Sequence, residues 1–149
     1  MKSFENKVAA ITGAGSGIGR ALALGLARQG CHLALADVNS AGLKETAELA
    51  RALGVKVSEA LVNVAERDAV QAWADQVMAE YGQVNAIFNN AGVAQGGTVE
   101  GNDYADYEWV MSINFWGVVN GTKAFLPYLK STGEGHIVNT SSIFGLFAQ

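Results

Sequence analysis

The chain has 149 residues, half of them hydrophobic, with 18 glycines, one proline, and 10 basic against 14 acidic side chains for a net charge of −4. That composition excludes a disordered or linker-like chain, and a domain of this length buries roughly 70% of its unfolded surface, so its core needs neither disulfides nor a structural metal. The mild acidity and the lack of any Lys/Arg cluster argue against nucleic acid or an anionic membrane as partner. A lone Cys31 has no internal partner to bridge and reads as core filler in a cytoplasmic protein.

The first apolar run, Lys7 to Thr12, is too short for a signal-peptide core and reads as a strand. A helix follows it, with Leu22, Gly25, Leu26 and Gln29 on one face. The second strand is His32 to Val38, after which Ser40 caps a helix carrying Leu43, Ala47 and Ala50. The third strand is Lys56 to Val64. Val70, Trp73, Val77 and Tyr81 then recur at helical spacing, and Gly30, Gly54 and Gly82 stand where helices stop. The uncharged stretch from Tyr81 to Val99 carries Gln83, Asn85, Asn89, Asn90 and Gln95, an amide load that excludes a membrane span. Within it lies the fourth strand, Asn85 to Asn89. A long pattern from Asp103 to Lys130, with Pro127 near its end, predicts the fourth helix, and His136 to Thr140 the fifth strand.

The order βαβαβαβαβ, with strands that are nearly continuous in apolar residues, predicts an α/β fold. It is a doubly wound Rossmann-type parallel sheet with helices on both faces, five strands being present in one domain over residues 1–149. Ligands of such sheets bind beyond the carboxyl ends of the strands, near the point where strand order reverses.

Directly after the first strand comes Thr12-Gly13-Ala14-Gly15-Ser16-Gly17-Ile18-Gly19, which opens into a helix. Gly13 suits a tight turn, Gly17 lets a pyrophosphate approach the backbone, Gly19 allows close helix packing, and the helix N-terminus offers free N–H groups. Taken alone, the loop would also serve as a strand-to-helix turn with no ligand. Asp37, at the end of the second strand, follows the loop at roughly the 20-residue spacing that places a carboxylate on an adenosine ribose diol. A carboxylate there repels the extra phosphate of NADP and favours NAD. Its alternative reading is a solvated turn residue.

These residues resemble the short-chain dehydrogenase/reductase family. The match rests on TGxxxGIG at 12–19, Asn89-Asn90-Ala91-Gly92 after the fourth strand, Asn114 in the long helix, and Asn139-Thr140-Ser141-Ser142 ending the fifth strand. The resemblance implies that Gly13, Ser16, Gly17, Ile18 and Gly19 hold the pyrophosphate of NAD and that Asp37 and Val38 hold the adenosine ribose. It also implies that Asn63 and Val64 meet adenine, Asn63 standing where the family usually has Asp, and that Asn90, Ala91 and Gly92 line the cofactor ribose. The implied chemistry is reversible hydride transfer between nicotinamide and a secondary alcohol or ketone. Ser142 would polarise the reacting oxygen and Asn114 would anchor a water relay; their alternative readings are a strand-end hydroxyl bonded to backbone and a structural helix Asn. The family's proton donor is the Tyr of a YxxxK signature. None of Tyr81, Tyr104, Tyr107 and Tyr128 is followed by Lys four positions later, so the expectation is an amino-terminal portion, inactive alone, that lacks the later strands. The resemblance further implies a homo-oligomer, a dimer or tetramer, in the complete form.

A non-catalytic dinucleotide-binding module or regulator is the alternative function. Residues 94–97 and 143–149, small or apolar, would face the substrate and tilt toward a hydrophobic alcohol or ketone. Trp109 and Trp116 share a helix face that should be buried, and Phe115 and Phe125 read as core or interface. His32 and His136 lie at strand starts with no His, Cys or carboxylate at metal-ligand spacing in the sequence, so no metal site is expected.

Overall fold

The computed structural model describes residues 3–145. Five strands form one parallel sheet: β1 (Val8–Thr12), β2 (His32–Asp37), β3 (Val57–Leu61), β4 (Ala86–Asn89) and β5 (His136–Asn139), in the order β3-β2-β1-β4-β5. Val8 pairs with His32, Ala9 with Ala86, Leu33 with Val57 and Ala86 with His136. The chain winds outward from β1 to β3, then crosses back to β4 on the other side of β1. Strand order therefore reverses between β1 and β4, which opens a crevice at their carboxyl ends.

The helices are α1 (Gly17–Ala27), α2 (Ser40–Arg51), α3 (Arg67–Tyr81), α4 (Tyr104–Met111) and α5 (Gly117–Ser131). Two cores flank the sheet. On one face Ile11, Leu33, Leu35 and Phe88 pack against Ala23, Leu26 and Ala27 of α1 and Leu43, Ala47 and Ala50 of α2. On the other, Val8, Ala10, Ala34 and Ile87 meet Val70, Trp73 and Val77 of α3 and Ala124, Phe125 and Leu129 of α5. All five residues of β1 are buried, because a central strand with helices on both sides has no solvent face. Trp73 and Phe125 meet edge to face, with ring centroids 5.0 Å apart.

Several local expectations are corrected. The buried face of α1 is Gly19, Ala23, Leu26 and Ala27, whereas Gln29 is exposed and Gly25 only half-buried. The small side chains of Gly19, Ala23 and Ala27 let this helix sit close to the sheet, and Leu22 packs against the same core while only partly buried. Asn39, not Ser40, caps α2: its side chain accepts from the Gly42 N–H at 3.2 Å. The third strand is shorter than its apolar pattern. The long fourth helix is interrupted by a π-helical turn, Ser112–Trp116, with Pro127 accommodated inside α5. Trp109 and Trp116 do not form a buried pair, being 45% and 55% exposed. β5 is exposed along its length and, among the described residues, pairs only with β4. Glycines 30, 54 and 82 follow the first three helices with positive φ, as expected of C-terminal stops.

Cys31 is fully buried, its Sγ 3.4 Å from the carbonyl oxygens of Lys7 and His32. Burial pushes its thiol up to about 12, so it fills core space in its neutral form.

Candidate functional site

A cleft of about 360 Å³ occupies the crevice between the ends of β1 and β4. Its floor is the glycine loop. Gly13 takes φ +65°, and a Cβ there would stand 2.8 Å from the Cα of Ala91, so only glycine lets the loop lie against the β4 exit. A Cβ at Gly19 would collide with the Gly13 carbonyl. Around Gly17 nothing beyond its own turn of the chain lies within 4 Å of the Cβ position, and the Ser16 side chain makes no capping bond to α1. The helix therefore presents its unpaired N–H groups and positive dipole end to open space, an arrangement that suits a phosphate.

Thr12 joins the two strand ends. Its Oγ1 accepts from the N–H groups of Asn90 and Ala91 at 2.9 and 3.0 Å and donates to the Phe88 carbonyl at 3.3 Å. The Asn90 side chain reaches back, donating to the carbonyls of Thr12 at 3.1 Å and Gly13 at 3.4 Å while accepting from the Thr140 hydroxyl at 3.1 Å. One amide thus ties the ends of β1, β4 and β5 around the cleft.

Asp37 closes the second side. Its Oδ2 accepts from the Gly15 N–H at 2.7 Å and its Oδ1 from the Asn39 N–H at 2.8 Å, which aims the carboxylate across the loop. Val38 and Ile18 stand exposed at the mouth, 70% and 63% open to solvent. The end beyond β3 is formed by Val62, Asn63 and Val64. Asn63 accepts from the Ala65 N–H at 3.1 Å and donates to Glu66 at 3.2 Å, and the Val64 carbonyl accepts from the buried Asn120 amide of α5 at 2.9 Å.

Every residue expected at a cofactor therefore lines one cleft: Gly13, Ser16, Gly17, Ile18, Gly19, Asp37, Val38, Asn63, Val64, Asn90, Ala91 and Gly92. The lining also includes Ile113, next to Asn114, and Thr140, two residues before Ser142, but not Asn114 and Ser142 themselves. Asn114 lies in the π-helical turn with both polar atoms of its amide bonded to the Val93 backbone. Its Oδ1 accepts from the Val93 N–H at 2.9 Å and its Nδ2 donates to the Val93 carbonyl at 2.8 Å, so the side chain pins the strand exit. Ser142 is exposed just after β5, and its carbonyl accepts from the Gly145 N–H. The expected substrate segment at 143–149 lies in part, residues 146–149, outside the described residues.

Sequence reading missed Thr12, Gly15, Arg20 and Asn120. Thr12 is the first residue of the motif but was given no role there, and Gly15 stands at one of its unspecified positions. Asn120 is a helix residue bonded to a backbone carbonyl, and Arg20 is one bonded to two carbonyls, a hydroxyl and a carboxylate, partners that leave no pattern in the sequence. Among the described residues no group of three or more His, Cys, Asp or Glu is placed to hold a metal, and no helix is long and apolar enough to cross a membrane.

A glycine loop after β1, an acid ending β2 and a cleft at the reversal of strand order define a Rossmann-type domain. The chain belongs to the short chain dehydrogenase family, whose model matches residues 7–149. It is 56% identical over 148 residues to the Mycobacterium tuberculosis protein named "Putative oxidoreductase SadH", covering 99% of this chain and 54% of that one. It is 36% identical to the levodione reductase of Leifsonia aquatica, over 96% of this chain and 55% of that one. A solved short chain dehydrogenase/reductase from Burkholderia phymatum, in complex with NAD, superposes with a TM-score of 0.96 at 42% identity, covering all of this chain and 53% of that one. The chain spans about half the length of the curated relatives it matches.

Proposed function

We propose that these 149 residues form the cofactor-binding portion of an NAD-dependent short-chain oxidoreductase that moves a hydride between nicotinamide and a secondary alcohol or ketone. The observation that carries this reading is the single cleft in which the open N-terminus of α1 faces the Asp37 carboxylate across the glycine loop. The residues fit the cofactor. The N–H groups of residues 16–19 would take the pyrophosphate, Asp37 the adenosine ribose hydroxyls, Asn63 and Val64 the adenine, and Asn90 to Gly92 the nicotinamide side. The NAD in the Burkholderia phymatum relative supports the same choice.

When bound, the dinucleotide supplies the hydride acceptor or donor. The chain's own residues bind and orient. Asp37 disfavours a 2′-phosphate by charge repulsion, Asn90 holds the cleft's shape through Thr12 and Thr140, and Asn114 fixes the Val93 backbone beside it. Ser142 would hydrogen-bond the reacting oxygen of a small-molecule substrate. The proton donor of the reaction, a Tyr assisted by Lys, has no match among the tyrosines of these residues, so the chain alone binds cofactor without turnover. We further propose a homo-oligomeric complete form in the cytoplasm.

Calorimetric titration of the chain with NAD and NADP, beside an alcohol-oxidation assay, tests this. Binding of NAD in preference to NADP, with no turnover, is expected. Turnover by the chain alone would refute the assignment of a missing proton donor, and a folded chain that binds neither dinucleotide would refute the cofactor reading.

A further inference from the structure

We infer that Arg20 is a positioning residue for the cofactor loop, although it does not line the cleft; the inference rests on the NAD reading above. Arg20 projects from the first turns of α1, and its guanidinium gathers four oxygens. Nη2 donates to the Gly15 carbonyl at 2.8 Å, to the Gly42 carbonyl at 3.4 Å and to Glu45 Oε2 at 2.7 Å, and Nε donates to Thr46 Oγ1 at 2.9 Å. Thr46 is fully buried and itself donates to the Gly42 carbonyl at 3.0 Å, so the fork sits on a fixed platform. α2 is close enough that a Cβ at Gly42 would stand 2.5 Å from the Gly15 carbonyl.

The consequence lies in the Gly15–Ser16 peptide. A peptide unit is planar and trans, so a held carbonyl fixes the opposite direction for its N–H. Arg20 holds the Gly15 carbonyl from behind the loop and thereby sets where the Ser16 N–H points, at a residue that lines the cleft. The preceding peptide is held by the Gly15 N–H donating to Asp37. Two consecutive peptide planes are thus locked, one by the carboxylate assigned to the ribose and one by Arg20. Glycine at 15 makes the lock necessary, since a residue without Cβ otherwise permits the peptide to rotate.

Three variants test the assignment by calorimetry and by the amide spectrum, each protein being checked for its melting temperature. Arg20→Met is expected to weaken NAD by about tenfold or more, the scale of one charge-assisted hydrogen bond, and to diminish the NAD-induced shift of the Ser16 amide. Arg20→Lys keeps the charge without the fork and is expected to fall between Met and wild type. Glu45→Gln, which removes only the exposed outer ion pair, should bind within about twofold of wild type. A lower melting temperature with unchanged NAD affinity and unchanged Ser16 shift would reduce Arg20 to a fold staple and overturn the inference. Lys binding as tightly as wild type would also overturn it, by showing that only charge matters. If Arg20→Met does not fold, Arg20→Lys decides alone by the same two readouts. Absence of NAD binding by the folded wild-type chain would instead remove the underlying cofactor reading, and this inference with it.

Discussion

Replacing Thr12 by Val exchanges its hydroxyl for a methyl group of nearly the same shape, so the change tests the oxygen. In the native chain that oxygen accepts from two backbone N–H groups at 2.9 and 3.0 Å and donates to the Phe88 carbonyl, at a position 2% exposed. Valine leaves the Asn90 and Ala91 N–H groups without this acceptor, at about 1–3 kcal/mol for each group that water does not reach. Partial access of water at the cleft lowers the sum, and about 2–4 kcal/mol is expected. At roughly 3 °C per kcal/mol for a chain of this size, the melting temperature falls by about 6–12 °C. Thr12→Ser keeps the hydroxyl and loses one methyl, so it should cost less than about 1.5 kcal/mol. Urea unfolding followed by circular dichroism measures both. A valine variant as stable as wild type, or a serine variant damaged as badly as valine, would refute the claim that this hydroxyl ties β1 to β4.

Cys31 should resist alkylation in the native chain at pH 8 and react promptly once the chain is unfolded. Its thiol is raised from 9.0 to about 12 by burial, so unfolded chains ionise first as pH rises, and stability is lost between those two values by up to about 4 kcal/mol. Cys31→Ala should lose this part of the pH dependence, and a wild-type and variant difference that is flat from pH 8 to 11 would contradict it. Asn114→Ala should release the Val93 amide, raising its hydrogen exchange at least about tenfold while exchange at the β1 and β2 amides is unchanged. Equal protection of Val93 in both proteins would show that the two-point clamp is not what orders the strand exit.

The sheet was legible because its strands are continuous apolar runs separated by helix-length segments, a pattern that burial on both faces imposes. The glycine loop and Asp37 were legible because a tight turn and a strand-end acid leave residue identities behind. Helix ends were harder. Asn39 and Ser40 are both good caps, and only the actual path of the chain decides that the Asn39 side chain reaches the Gly42 N–H. The π-helical turn at Asn114 was invisible, because it goes with a tertiary bond to Val93 that propensity does not encode. The same holds for Asn120, whose acceptor is the Val64 carbonyl 56 residues away, and for Arg20, whose acceptors on α2 and in the glycine loop meet only in the folded chain. The exposure of Trp109 and Trp116 was also missed, since a heptad spacing assumes an uninterrupted α-helix, and here the chain between them enters the π-helical turn that ends at Trp116.

The most direct test of the account is the amide spectrum of the ¹⁵N-labelled chain during titration with NAD, run beside Asp37→Ala. The account predicts shifts concentrated at residues 13–19, 37–38, 63–64 and 90–92. It predicts a much weaker response to NADP in the wild type, and an Asp37→Ala variant in which NAD affinity falls and the preference over NADP narrows. Shifts that map elsewhere on the sheet, or equal affinity for the two dinucleotides in the wild-type chain, would contradict it.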